Sequence, residues 1–268
     1  MSVWYCIPSA RPPEEAEPVL KRWREQGYNI ALWLDGDERK SYYVADTLYE
    51  EGLYPGYARA VNYLIAQVMR LEAADTSPIK GEHADWFVTG GDDVICDLTK
   101  RAEEIARECS EHFRKYVPWV TGVARPDLTH ETFGVMQPTG HRFGEDPTNP
   151  NSALRSAYID RVAGSPWMGR EWCKRANQGK GPLWPEFQHM HVDECLREVA
   201  VKLGVYWERP DLIHFHQHWG LPREGERHGQ AERMPEHLKK WNTPEHWRES
   251  KAILDRLKAE DFKSCLPL

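Results

Sequence analysis

The first 115 or so residues alternate between short apolar runs and helix-length amphipathic stretches, and each apolar run closes on a polar or glycine-rich cluster. VWYCIP (Val3 to Pro8) runs into SARP, NIALWLD runs into DGD, and DWFVTG runs into GGDD. Continuous apolar runs of this length bounded by turn residues are what strands buried on both faces look like. Between them, PPEEAEPVLKRWREQG opens on proline and acids and closes on bases and glycine, the start and stop signals of a helix. PGYARAVNYLIAQVMRLEAAD places Ala58, Val61, Leu64, Ile65, Val68 and Leu71 on one helical face. DLTKRAEEIARECSEHFRKY has the same character. Strand, helix, strand in about 35 residues predicts right-handed βαβ units in a parallel sheet. Open sheets of that kind take ligands outside the carboxyl ends of their strands, so the three polar clusters are expected to converge.

The second half is less regular. PDLTHETFGVMQPTGHRFGEDPTNPNS reads as loop with one strand over Phe133 to Met136, and SAYIDRVAGSP as a strand and turn. WMGREWCKRANQ and VDECLREVAVKLG read as helices, the second stopping at Gly204, and DLIHFHQHWG reads as a strand. Thr243 to Lys263 reads as a charged surface helix.

With 35 basic and 42 acidic residues the formal charge is −7, against a chain that coats nucleic acid by general electrostatics. Basic stretches such as KRWRE and WCKRANQGKG, together with twelve tryptophans, leave room for a local stacking cleft. Six cysteines without CxxC spacing fit reduced thiols, and there is no run of about 18 apolar residues; a soluble, cytoplasmic protein without a membrane partner is expected.

Three constellations carry chemistry. Asp92 and Asp93 repel each other unless they face water in a turn or hold something positive, and paired carboxylates suit Mg²⁺ or Mn²⁺. In HFHQH, a strand would set His214, His216 and His218 on one face, as ligands or as a packed polar layer. Asp193 and Glu194 open a helix, where the macrodipole favours acids, and either could serve as a general base at a cleft edge.

Taken in order, these motifs resemble the GT-A glycosyltransferases, over residues 3 to 220. The resemblance implies a Rossmann-type mixed sheet flanked by helices over 1–220, with a mainly helical C-terminal extension over 221–268 packed on the same domain. It assigns Pro8, Ser9 and Arg11 of IPSARP to a nucleotide-binding turn, and Asp35 and Asp37 of DGD to the base or ribose. Arg59 and Asn62 fall in the helix that carries a short Ala/Arg/Asn motif. GGDDV stands at the metal motif, with Gly90 where its first acid would be; the metal, Mn²⁺ or Mg²⁺, then rests on Asp92, Asp93 and His216 or His218, and Asp92 also faces the donor. VDECL supplies the base, Asp193 by alignment with Glu194 as its neighbour. The implied reaction moves a sugar from a nucleotide-sugar, a uridine diphosphate sugar by resemblance, to an acceptor hydroxyl with inversion. Small members of phage and metagenomic origin are similar in outline, which implies a hydroxymethylated pyrimidine in DNA as acceptor and a host cytoplasm as setting; saccharide or protein acceptors are the alternative. Two other readings are a zinc hydrolase built on His189, His191, His214, His216 and His218, and a nucleotide-binding module without turnover.

Overall fold

Strand β1 (Ser2–Ser9) is covered from end to end, as a central parallel strand must be when helices lie on both faces of its sheet. The computed structural model describes residues 1–35, 47–74, 83–140, 142–143, 154–155, 163–219, 234 and 236–267. Helix α1 (Pro13–Glu25) starts on a proline with acids in its first turn and buries Ala16, Val19, Leu20 and Trp23. It carries the chain to β2 (Asn29–Asp35), which pairs in parallel with β1 from Trp4↔Asn29 to Ser9↔Leu34. β3 (Thr47–Gly52) continues the sheet in parallel, and α2 (Tyr57–Ala73) crosses back to β4 (Ala84–Val88) on the other side of β1. The two crossovers move in opposite directions along the sheet, so the right-handed rule puts α1 and α2 on opposite faces.

After β4 come β5 (Val94–Ile95), α3 (Ala102–Phe113), a hairpin of β6 (Trp119–Val120) and β7 (Val123–Ala124), then β8 (Val135–Gln137), β9 (Arg142–Phe143) and β10 (Leu154–Arg155). β11 (Trp167–Gly169), α4 (Arg170–Gly179), α5 (Val192–Lys202), β12 (Tyr206–Glu208), β13 (Phe215–His216), α6 (Glu236–Lys239) and α7 (Pro244–Ala259) follow. The main sheet has the order β12-β8-β11-β4-β1-β2-β3, and β11 alone runs against its neighbours. This is the mixed sheet flanked by helices that the sequence predicts. A smaller sheet, β10-β9-β13-β5, sits beside it.

The structure amends four readings. β3 intervenes before DWFVTG, which is therefore the fourth strand. Trp167–Gly169 pairs with β4 and β8 as a strand, so helix α4 begins only at Arg170. The strand predicted over Phe133 to Met136 lies one or two residues later, at Val135–Gln137. DLIHFHQHWG is a strand at Phe215 and His216 alone. The strand predicted in SAYIDRVAGSP falls largely on residues 156–162, outside the described ones. All six cysteines are buried and unbridged. Among the described residues no helix is long and apolar enough to cross a membrane.

Candidate active site

The strand order changes direction at β1, with β2 on one side and β4 on the other, and a crevice opens there at the carboxyl ends. β4 runs out into the turn Gly90–Asp93, closed by the Val94 amide donating to the Gly91 carbonyl at 3.0 Å. The turn is pinned from every side. Tyr5 Oη donates to Gly91 O at 2.6 Å, Trp23 Nε1 to Val94 O at 2.7 Å and Tyr57 Oη to Gly90 O at 2.9 Å. Tyr5 and Trp23 stack with ring centroids 3.7 Å apart. At Gly91 a Cβ would lie 2.6 Å from Asp93 Oδ1, so a larger residue there would displace the Asp93 carboxylate from its place over the turn.

Asp92 and Asp93 are each 8% exposed, so they are not a solvated turn. What separates their charges is Arg11, from the end of β1: its Nε lies 2.9 Å from Asp92 Oδ1 and its Nη2 3.2 Å from Asp93 Oδ2. Ser9 Oγ donates to the other Asp92 oxygen at 2.7 Å. Burial, and Asp93 beside it, push the Asp92 carboxyl up from its usual range although Arg11 pulls the other way. For Asp93 burial also raises, but His216 and Arg11 outweigh it and hold that carboxyl low.

Strand pairing delivers the histidine. β13 pairs antiparallel with β5, His216 opposite Val94, and the Gln217 amide donates to Asp93 O at 2.8 Å. His216 Nε2 thereby faces Asp93 Oδ1 at 3.4 Å, with the His218 ring edge-on at 5.1 Å. Burial and the nearby His216 push His218 down to about 4, which leaves it neutral at pH 7. His214 goes elsewhere. It is fully buried, shares a 2.7 Å hydrogen bond with Ser165 Oγ and meets the edge of Trp23. The three histidines do not share a face, because the strand is two residues long rather than five.

Facing the turn is the start of α5. His191, its N-cap, holds a left-handed φ of 62°, which is unusual for a residue with a Cβ and aims the first helical turn at the crevice. Burial raises the Asp193 carboxyl, whose Oδ1 accepts from the Glu194 amide at 2.9 Å. Glu194 is tied differently: Lys258 Nζ at 2.8 Å and His191 Nδ1 at 3.1 Å outweigh its burial and hold its carboxyl low. Of the two acids, Asp193 has the environment of a proton acceptor and Glu194 that of an ion-pair partner.

These groups line one cavity of about 760 Å³. Pro8, Ser9, Arg11, Asp92, Asp93, Asp193, Glu194, His216 and His218 all border it, as do His189 and His191. Arg59 and Asn62 do not: Arg59 Nε donates to Pro185 O at 3.0 Å, and Asn62 brackets Leu183, donating to its carbonyl at 2.7 Å and accepting from its amide at 3.1 Å. Asp35 ends β2 opposite Gly52, its side chain outside the description, and Asp37 lies outside the described residues. Tyr54, Tyr57, Trp219, Trp241 and Trp247 also line the cavity and were not singled out in the sequence. Of these, only the tryptophans carry a signal in the sequence, their count of twelve.

Two carboxylates and two imidazoles on one wall fit a divalent cation in kind, oxygen with nitrogen, and His218 is in the neutral form that ligates. Among the described residues no three such groups already converge at ligating distance; Arg11 lies across the acidic pair. The five-histidine zinc set is not assembled, since His214 is spent on Ser165.

No protein-family model matches the chain, and no curated protein sequence does. Among solved structures it is similar to a glycosyltransferase involved in the glycosylation of the major capsid of PBCV-1, at 13% identity and a TM-score of 0.26 over 64% of this chain. The match spans 62% of that chain's own length, and a likeness at this score leaves the reading of the site to its own residues.

Proposed function

We propose that this chain is a metal-dependent glycosyltransferase that moves a sugar from a nucleotide-sugar to an acceptor hydroxyl with inversion. One observation carries the reading: Arg11 and the Asp92–Asp93 turn stand at the switch point of the sheet, across a single cavity from the half-buried Asp193, whose carboxyl is raised by desolvation. Arg11 is a planar, permanently charged fork suited to a diphosphate, and Ser9 fixes the carboxylate beside it. Asp193 takes the proton of the acceptor hydroxyl as the new bond to the anomeric carbon forms and the bond to the diphosphate oxygen breaks. Its raised carboxyl makes it a better base than a solvated aspartate. Asp92, Asp93, His216 and His218 would hold Mn²⁺ or Mg²⁺, which when bound offsets charge on the departing diphosphate.

The test is calorimetry with uridine and guanosine diphosphates, with and without Mn²⁺. Saturable, Mn²⁺-enhanced binding of one of them is expected. It should weaken at least tenfold in Asp92→Asn and Asp93→Asn, and disappear on chelation. If no nucleoside diphosphate binds the folded protein, the assignment fails.

A further inference from the structure

Trp219 and the segment carrying Leu238, Trp241, Asn242 and Trp247 also line the cavity. The indoles are held rather than loose. Trp241 meets Tyr54 edge-on at 5.4 Å, Trp247 Nε1 donates to Asn242 Oδ1 at 2.6 Å and Trp219 tilts onto His218 at 4.7 Å. Trp247 nonetheless keeps 44% of its surface exposed. The described residues lining the rest of the cavity set one guanidinium, Arg11, against four carboxylates, Asp92, Asp93, Asp193 and Glu194.

From this pairing we infer that the acceptor is a neutral carbohydrate whose ring stacks on Trp241 and Trp247, rather than a nucleic-acid strand. The inference rests on the transferase reading above and names the acceptor for it. A strand would bring phosphodiesters to a lining of four carboxylates whose one guanidinium the donor's diphosphate takes, and affinity for nucleic acid comes mainly from Lys and Arg on those phosphates. The bases beside the tryptophans are engaged, Lys258 on α7 with Glu194 and Glu198, and Lys240 over the Trp241 ring at 5.4 Å from its centroid. An apolar ligand would set no donor of its own against the four carboxylates that line the cavity. A pyranose satisfies both sides: its weakly positive C–H face meets the negative face of an indole, and its hydroxyls donate to the acids. A cavity of this volume is in the range that encloses small ligands, so the acceptor presents a terminal sugar unit rather than a long chain.

The experiment uses the full chain in Mn²⁺ and saturating uridine diphosphate. It titrates methyl glycosides of glucose, galactose and N-acetylglucosamine, and the corresponding disaccharides, by calorimetry. A DNA oligonucleotide containing hydroxymethylcytosine, single-stranded and duplex, forms the other arm. At least one sugar should bind, Trp241→Ala and Trp247→Ala should weaken it tenfold or more, and Trp247→Phe should retain most of it, all with uridine diphosphate affinity within twofold of the parent. That unchanged affinity shows that the variants fold. Sugar affinity indifferent to both tryptophans overturns the inference, and so does binding of DNA but no sugar. Tryptophan-dependent sugar binding without any nucleotide binding would keep the carbohydrate site and sink the donor reading instead.

Discussion

Two adjacent aspartates at 8% exposure would each raise the other's pKa, and the chain resolves this with one arginine eighty-odd positions away. The consequence is asymmetric. Asp93, with both His216 and Arg11 on it, stays ionised, while Asp92 is held up by its burial and its neighbour. Asp193 shows the same economy across the cavity, where burial raises a carboxyl that no basic side chain hydrogen-bonds among the contacts described. Asp193→Asn should keep nucleotide affinity and lose transfer, because an amide cannot take a proton; the loss of a general base is roughly 10²–10⁴-fold in rate. The sign of the pH dependence follows. The base works ionised and its pKa lies above the usual carboxylate value of 3.8, so kcat/KM should fall toward acid with an apparent pKa above that value. Steady-state rates from pH 4 to 8 check this. A wild-type profile flat down to pH 4, or an Asp193→Asn variant with full turnover, removes Asp193 from the chemistry.

At the level of elements, α2 does more than cover the sheet. Asn62 bonds both backbone groups of Leu183, and Arg59 reaches Pro185, so the helix fastens the loop that leads to His191 and Asp193. Gly181, at φ +110°, fits only because it has no side chain: a Cβ there would lie 2.6 Å from the Asn62 carboxamide. Asn62→Ala should therefore destabilise by about 1–3 kcal/mol, the cost of leaving partly buried backbone groups unpaired, and lower kcat while nucleotide affinity holds. Denaturant titration and calorimetry separate this from a direct donor contact, for which affinity would drop and stability would not. The sequence showed the helix but not this task, since hydrogen bonds across about 120 residues leave no local pattern. The βαβ alternation was legible because each buried strand and amphipathic helix writes its own periodicity. WMG was misread because Trp-Met-Gly-Arg-Glu-Trp continues a helical pattern, and only pairing with β4 and β8 makes it a strand. GGDD and HFHQH were each visible, while their meeting depends on the β5–β13 pairing. Trp241 and Trp247 were illegible as site residues, because nothing near them in sequence carries polar chemistry of the site.

Across the whole molecule, the C-terminal segment closes both the core and the cavity. α7 and the turn after it bury Leu254, Leu257, Phe262, Cys265 and Leu266, and Gln178 donates its amide to Leu266 O at 3.2 Å. The surface pairs along the same segment, Lys258 with Glu194, Arg256 with Glu186 and Lys202 with Asp261, add little, since exposed ion pairs are worth about 0–1 kcal/mol each. The four large apolar side chains dominate: at about 2 kcal/mol each they contribute roughly 8 kcal/mol, comparable with the whole stability of an ordinary domain, about 5–15 kcal/mol. A chain ending at Asn242 should therefore fail to fold, and the full chain should unfold in one transition followed equally by far-ultraviolet dichroism and tryptophan fluorescence. Leu257→Ala tests the same claim more gently, with an expected loss of about 2–5 kcal/mol for a fully buried leucine. If the truncated chain folds with an unchanged midpoint, or the full chain melts in two steps with the later one insensitive to Leu257→Ala, then α7 is an appendage and the core closes without it.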